Sequence, residues 1–245
     1  MNPRITGAVA LRVLAQLRND HRTTAMMLVL PCVLITLLWW VYTDAGMLFD
    51  RIGAPLLSMF PFIVMFLVTS VTTLGERTSG TLERLLAMPM GKVDFLAGYA
   101  IAFGAVAIVQ GFLTSALAVW VLGLDIAGSM VVLAVIAMLT GIVGTTLGLF
   151  VSAFAQTEFQ AVQFMPAVVI PQLLVCGLLW PRDQLPGVLE AISDVLPLSY
   201  AVDAMREVVG SESWTGDLTT DVVVLGGFIV GLLLLGSATL RRRSP

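Results

Sequence analysis

A chain that carries out chemistry must bring nucleophiles, bases or metal ligands together, and this one has few to bring. Its one histidine, His21, stands beside Arg22 in a basic stretch ahead of the first apolar run. An intramembrane serine protease needs a histidine at membrane depth, and this one lies outside. The paired aspartates of an intramembrane aspartyl protease have Gly123-Leu124-Asp125 as their nearest counterpart, which lacks the Gly-x-Gly-Asp pattern and sits at the edge of an apolar run. Cys32 and Cys176 are isolated in separate apolar runs, with no CxxC spacing and no His, Asp or Glu cluster beside them. Gly91-Lys92 is followed by Val93, with Leu86 where a phosphate-cradling loop would need glycine, so there is no GxxxxGK[ST] motif. The residue types predict a chain with no active site, metal or cofactor of its own.

One polar stretch does stand out. It reads Glu76-Arg77-Thr78-Ser79-Gly80-Thr81-Leu82-Glu83-Arg84-Leu85-Leu86-Ala87-Met88-Pro89. Gly80 can begin a helix and Pro89 stops one. About two turns remain between them, with Leu82, Leu85 and Leu86 on one side and Glu83 and Arg84 beside them. A helix this short and apolar cannot bury its leucines alone. It docks on a partner or folds back onto a membrane surface, and the residues by themselves favour neither.

The elements that must position this stretch are set by composition. The chain has 245 residues, 58% hydrophobic and 12% charged, with net charge −3 and mean hydropathy +0.96. That charged fraction is about half of what a soluble domain carries. A water-soluble enzyme and a disordered chain are both excluded. Six apolar stretches, at 24–42, 54–74, 95–122, 130–153, 161–180 and 222–240, hold no Asp, Glu, Lys, Arg or His and are long enough to cross a hydrocarbon core of about 30 Å. The third is longer than needed and is expected to tilt or bend, with Gly104 and Gly111 as weak points. Pro61, Pro166 and Pro171 fall within spans. Residues 181–221 include Asp183, Glu190, Asp194, Asp203 and Glu207 together with Arg182 and Arg206. Each charge would cost about 2.5–3.5 kcal/mol at a helix centre, so this segment does not cross. A cleaved signal peptide is disfavoured at 24–42, because the run is too long and no Ala-x-Ala follows it.

With six spans both termini share a side. That side collects Arg4, Arg12, Arg18, Arg22, Arg77, Arg84, Lys92 and Arg241 to Arg243, against Arg51, Arg182 and Arg206 on the other. Positive-inside bias therefore puts both termini in the cytoplasm. Residues 3–22 form a weakly amphipathic helix with Ile5, Val9, Val13 and Leu17 in one stripe and Arg4, Arg18 and Arg22 opposite, as an interfacial helix or a basic flank would have. Beyond the fifth span, Leu185, Val188, Leu189, Ile192, Val195 and Leu196 fit a helix ended by Pro197, and a second follows from Ala201 to Val209. These lie in the outer leaflet or pack on the spans.

Polar groups inside the spans are neutral: Thr69, Thr72, Gln110, Thr114, Thr140, Thr145, Thr146, Gln163 and Gln172. Ion-coupled carriers place ionisable groups at membrane depth, so a secondary transporter is the weaker reading and an assembly factor weaker still. Most of these groups are expected to join helices by hydrogen bonds. Gly144-x-x-x-Gly148 and Gly227-x-x-x-Gly231 permit close helix approach, chiefly within the chain.

The 76–89 stretch resembles the first cytoplasmic loop of the membrane subunits of ABC-2 type exporters, in particular the daunorubicin-type drug-resistance branch. Their pattern is Glu-Arg-Glu-x-Gly-Thr-Leu-Glu-x-Leu-Leu-x-x-Pro, and here Thr78 stands where the family often has a second Glu. Pro197-Leu198-Ser199-Tyr200 followed by Met205-Arg206 resembles the segment these proteins carry before their last span. The resemblance implies an all-α membrane protein, a single ABC-2 transmembrane domain over 1–245. Its parts would be an interfacial helix at 3–22, six spans, a coupling loop at 75–94 and re-entrant helices in an exterior segment at 181–221. It implies a permease subunit of an ATP-driven exporter of a hydrophobic drug or lipid-like molecule in a bacterial plasma membrane. Two cytoplasmic ATPase subunits would bind ATP and Mg, and a second identical or related permease would complete a dimer; nucleic acid is not among the implied partners. Glu76, Arg77, Gly80, Thr81, Leu82, Glu83, Leu85 and Leu86 would couple to the ATPase. The second and fifth spans would line the path with Phe62, Phe66, Thr69, Gln163, Phe164 and Val168.

Overall fold

The computed structural model describes residues 2–44, 46–81 and 90–239, the side chain of Met47 aside, and every regular element among them is helical. In chain order these are α1 (Pro3–Asn19), α2 (His21–Val41), α3 (Gly46–Thr78), α4 (Lys92–Ala116), α5 (Met130–Ser152), α6 (Glu158–Val175), α7 (Gly187–Asp194), α8 (Pro197–Gly210) and α9 (Gly216–Thr239). A wide π turn, Leu117–Val121, continues α4, and a 3-10 turn, Arg182–Gln184, precedes α7. Among the described residues, helices α2, α3, α4 with its π turn, α5, α6 and α9 are the six long and apolar enough to cross a membrane.

Several helix ends depart from the apolar runs, each for a local reason. Helix α3 runs on to Thr78 rather than stopping at 74, because Glu76 and Arg77 find partners on neighbouring helices. Helix α6 stops at Val175 rather than 180, since Gly177 adopts φ +91, a left-handed conformation that terminates a helix. Helix α9 begins at Gly216 rather than 222, where the Thr215 hydroxyl accepts from the Leu218 N–H at 3.1 Å. The irregularity in the long third span is the π turn, not either glycine. At Gly111 a Cβ would lie 2.8 Å from the Met138 backbone nitrogen, so this glycine serves close approach to α5.

The centre of the bundle is the seam between α3 and α5, the most extensive helix pair. A Cβ at Gly144 would overlap the Phe62 carbonyl oxygen, and one at Gly148 would come within 2.5 Å of the Phe66 carbonyl oxygen. Gly227 and Gly231 have open space around them instead. Helices α2, α6 and α9 are peripheral: 17%, 22% and 11% of their apolar windows are buried, against 72% for α3, so their outer faces are left for lipid or another chain.

The neutral polar groups mostly turn inward on their own helices. The hydroxyls of Thr114, Thr140, Thr145 and Thr146 donate to carbonyls three or four residues back, and the Gln172 amide does the same to Val168. Gln110 is different: its amide crosses from α4 to α2. The expected interhelical bonding is thus replaced by back-bonding at most of these positions, because a hydroxyl on a helix reaches its own preceding turn first.

Candidate functional site

Helix α1 lays its stripe on α4. Thr6, Val9, Ala10, Val13 and Leu17 are buried, and a Cβ at Gly98 of α4 would strike Val9 at 2.6 Å. Leu11 stays exposed, as do Arg4, Arg18 and Arg22. Asp20 joins α1 to α2: its backbone N–H closes α1 on Gln16, and its carboxylate accepts from the Thr23 N–H at 3.1 Å and the Thr23 hydroxyl at 2.5 Å. Those bonds from Thr23 hold the Asp20 carboxyl below its ordinary range.

Asp94 ties the other end of α1. One carboxylate oxygen accepts from the Asn2 N–H at 2.7 Å and the Thr6 hydroxyl at 3.1 Å, and the second accepts from the Gly91 N–H at 3.1 Å. Sequence reasoning passed over Asp94, although an acid three residues into a helix after Gly91 is a capping signal.

From the last turn of α3, Glu76 reaches α1. Arg12 donates to both its carboxylate oxygens at 2.9 and 3.0 Å, and Gln16 adds a bond at 3.1 Å. The fully buried Tyr99 of α4 lies beside this pair. Arg77 turns the other way and donates to the Ser152 carbonyl at the end of α5. Gly80 then closes α3 in a left-handed conformation, φ 72, and its N–H approaches the Arg77 carbonyl at 3.4 Å. Residues 75–78 therefore belong to the helix, not to a loop. The Ser79 hydroxyl meets that of Thr81 at 3.0 Å. Leu82, Glu83, Leu85 and Leu86 lie outside the described residues.

Of the six residues expected to line a path, Phe62, Phe66, Phe164 and Val168 share one apolar cluster. Phe62, Phe66 and Thr69 are fully buried on α3. Phe164 and Val168 of α6 pack at half-burial against the cluster that contains Phe62 and Phe66, while Gln163 is exposed.

At the opposite end of the bundle, α8 is buried through Leu198, Ala201, Val202, Ala204 and Met205, whereas α7 exposes Val188, Leu189 and Ile192. The Pro197–Arg206 motif ties down the chain that leaves α6. The Ser193 hydroxyl donates to the Val175 carbonyl at 2.9 Å and receives Ser199 at 2.9 Å. The Tyr200 hydroxyl donates to the Asp194 carbonyl at 2.7 Å, and Arg206 donates to the Gly177 carbonyl at 2.6 Å. Arg182 bridges Asp194, at 2.5 Å, and Asp203, and lies 5.4 Å from the Tyr200 ring centre. Burial pushes the Asp203 carboxyl up while Arg182 pulls it back, and burial wins.

Six helices long and apolar enough to cross a membrane among the described residues make this a multi-pass membrane protein, and comparison decides the family. The profile described as ABC-2 type transporter matches residues 6–209. The chain belongs to the ABC-2 type transporter family. It is 27% identical over 160 residues to "ABC transporter G family member 20" of Dictyostelium discoideum, covering 65% of this chain and 22% of that protein. It is 25% identical over 168 residues to "Probable multidrug ABC transporter permease YbhR" of Escherichia coli K12, and 25% over 175 residues to "Linearmycin resistance permease protein LnrN" of Bacillus subtilis. Each of those two matches covers 69% of this chain and 44% of the relative. The chain spans less than half the length of these relatives. Family and helices together make it a multi-pass membrane protein, a membrane component of the ABC-2 type.

Proposed function

We propose that the chain is the membrane-spanning subunit of an ATP-driven exporter of hydrophobic or lipid-like molecules, set in a bacterial plasma membrane with both termini cytoplasmic. It works as a dimer with itself or a related permease, on two cytoplasmic ATPase subunits that bind ATP and Mg. The observation that carries this reading is the brace at Glu76 and Arg77. Three helices, α1, α3 and α5, are fastened together where the chain leaves α3 at Gly80. A push on residues 80–88 would therefore move them as a unit. Leu82, Leu85 and Leu86 supply an apolar anchor for an ATPase cleft, and Glu83 sets its register. Residues 3–22 lie along the cytoplasmic interface, with Arg4, Arg18 and Arg22 outward.

A path between two copies needs exposed lining. Gln163 of α6 is exposed and Phe164 and Val168 are half-buried on the same helix, while Phe62, Phe66 and Thr69, fully buried in the single chain, would back that face. Mild purification of the tagged chain from its native membrane, with mass spectrometry of what accompanies it, tests the reading. A stoichiometric ATPase is expected, lost or uncoupled in Leu82→Ala and Glu83→Ala with insertion intact. Recovery of the chain alone, even after crosslinking, would overturn it.

A further inference from the structure

Three clefts open where the end of α6 meets α8 and α9, and Arg206 lines all of them. One is faced by Asp183, Glu190, Asp194 and Asp203, another by Asp203, Glu207, Asp217 and Asp221. The third, of about 380 Å³, has no carboxylate in its lining. Its walls are Leu178, Leu179, Pro181 and Val209, and its charged groups are Arg51 from α3 and Arg206 from α8.

Among the described residues neither arginine forms an ion pair. Arg182 takes up Asp194 and Asp203. Among the described residues no carboxylate lies within ion-pair distance of Arg206, whose bond goes to the neutral carbonyl of Gly177. Arg51 is exposed and has neither ion pair nor hydrogen bond among the described residues. This end of the chain is rich in acids and Arg206 also borders the two acid-lined clefts, yet Arg206 and Arg51 both line the apolar one and form no ion pair among the described residues. A guanidinium fork is built for phosphate or carboxylate oxygens, and such a bond strengthens in an apolar wall. Leu179 and Trp180, 67% and 57% exposed, continue that wall outward from the cleft.

We propose that this cleft binds the anionic head of an amphiphile, with its phosphate or carboxylate on Arg51 and Arg206 and its tail along Leu178 and Leu179. The site stands on the chain's own residues and does not depend on ATP-driven export. Its volume suits a head group, and its mix of apolar walls with a few convergent polar groups is that of a small-molecule site.

The test is native mass spectrometry of the full chain in maltoside micelles, titrated with dioleoyl phosphatidylglycerol, dioleoyl phosphatidylcholine or inorganic phosphate. Phosphatidylglycerol is expected to be retained about tenfold better than phosphatidylcholine. Arg51→Gln, which breaks no hydrogen bond or ion pair among the described residues, and Val209→Glu, which puts an acid in the cleft, are each expected to cut that retention about fivefold or more. Arg206→Gln should do the same, and the Arg51 variant decides if the Arg206 variant fails to fold. Equal retention of the two lipids overturns the proposal, as does unchanged retention in both Arg51→Gln and Val209→Glu. Displacement of the lipid by inorganic phosphate at equal concentration would mean a free-anion site without a tail groove, and would overturn it too.

Discussion

The side-chain amide of Gln110 in α4 donates to the backbone carbonyl of Met27 in α2 at 2.5 Å, and both residues are fully buried. The reason lies four residues further along α2. Pro31 has no N–H, so the Met27 carbonyl loses its helical partner. In lipid no water replaces it, and Gln110 does. Gln110→Leu is therefore expected to lower stability by about 1–2 kcal/mol. Pro31→Ala restores the helical donor, so adding it to Gln110→Leu should recover most of that loss. Equilibrium unfolding in mixed micelles measures the cycle. Equal losses with and without Pro31→Ala would reject the relationship.

The two Gly-x-x-x-Gly pairs should behave oppositely. Gly148 lies against the Phe66 carbonyl in the α3–α5 seam, and Gly144 against that of Phe62, so Gly148→Ala must push the two helix backbones apart. A loss of about 1–3 kcal/mol, or failure to fold, is expected. Gly227→Ala and Gly231→Ala meet nothing within 4 Å and should change monomer stability by under about 0.5 kcal/mol. The same unfolding assay reads both, and similar costs for the two pairs would contradict the seam geometry.

These pairs also mark what the sequence can and cannot disclose. Six spans were legible because an uninterrupted apolar run has few other fates in a chain this poor in charge. Their ends were not, because they depend on partners: Glu76 continues α3 by reaching Arg12, while Gly177 stops α6 by its backbone conformation. The stripe Val9, Val13, Leu17 was readable, but the groove at Gly98 that receives it was not. Pro31 reads like any other span proline and Gln110 like any other polar group in a span, because only the fold sets the amide of one against the carbonyl the other leaves open. Phe62 and Phe66 are the harder case, since an aromatic on a span reads alike whether it lines a path or fills a core. Both are fully buried within the single chain.

Acid should act at Asp203. Burial holds its carboxyl above the ordinary value of about 4. Between that value and its folded one, the folded chain binds more protons than the unfolded chain, so this group makes stability fall as pH rises through the window. Asp203→Asn cannot titrate and should flatten that slope. Thermal unfolding followed by maleimide labelling of the buried Cys176 gives the midpoint at each pH. An unchanged slope in Asp203→Asn would place the titration elsewhere.

The last prediction concerns the brace at Glu76. Arg12 grips both carboxylate oxygens, and the Glu76 side chain is only 10% exposed against 31% for Arg12. The pair is thus sheltered on one side and wet on the other, which puts its worth between an exposed pair and a buried one. Arg12→Ala leaves a largely covered carboxylate with Gln16 alone, and a loss of about 1–2 kcal/mol is expected. Arg12→Gln keeps a donor at the site and should lose less. Stability alone would not separate a brace from an ordinary ion pair, so the decisive readout is coupling. If α1 and α3 move together when residues 80–88 are pushed, Arg12→Ala should weaken substrate-stimulated ATP hydrolysis in the assembled complex while the ATPase stays bound. If the pair only stabilises the fold, hydrolysis per folded complex will match the parent chain, and the mechanical role given to Glu76 fails.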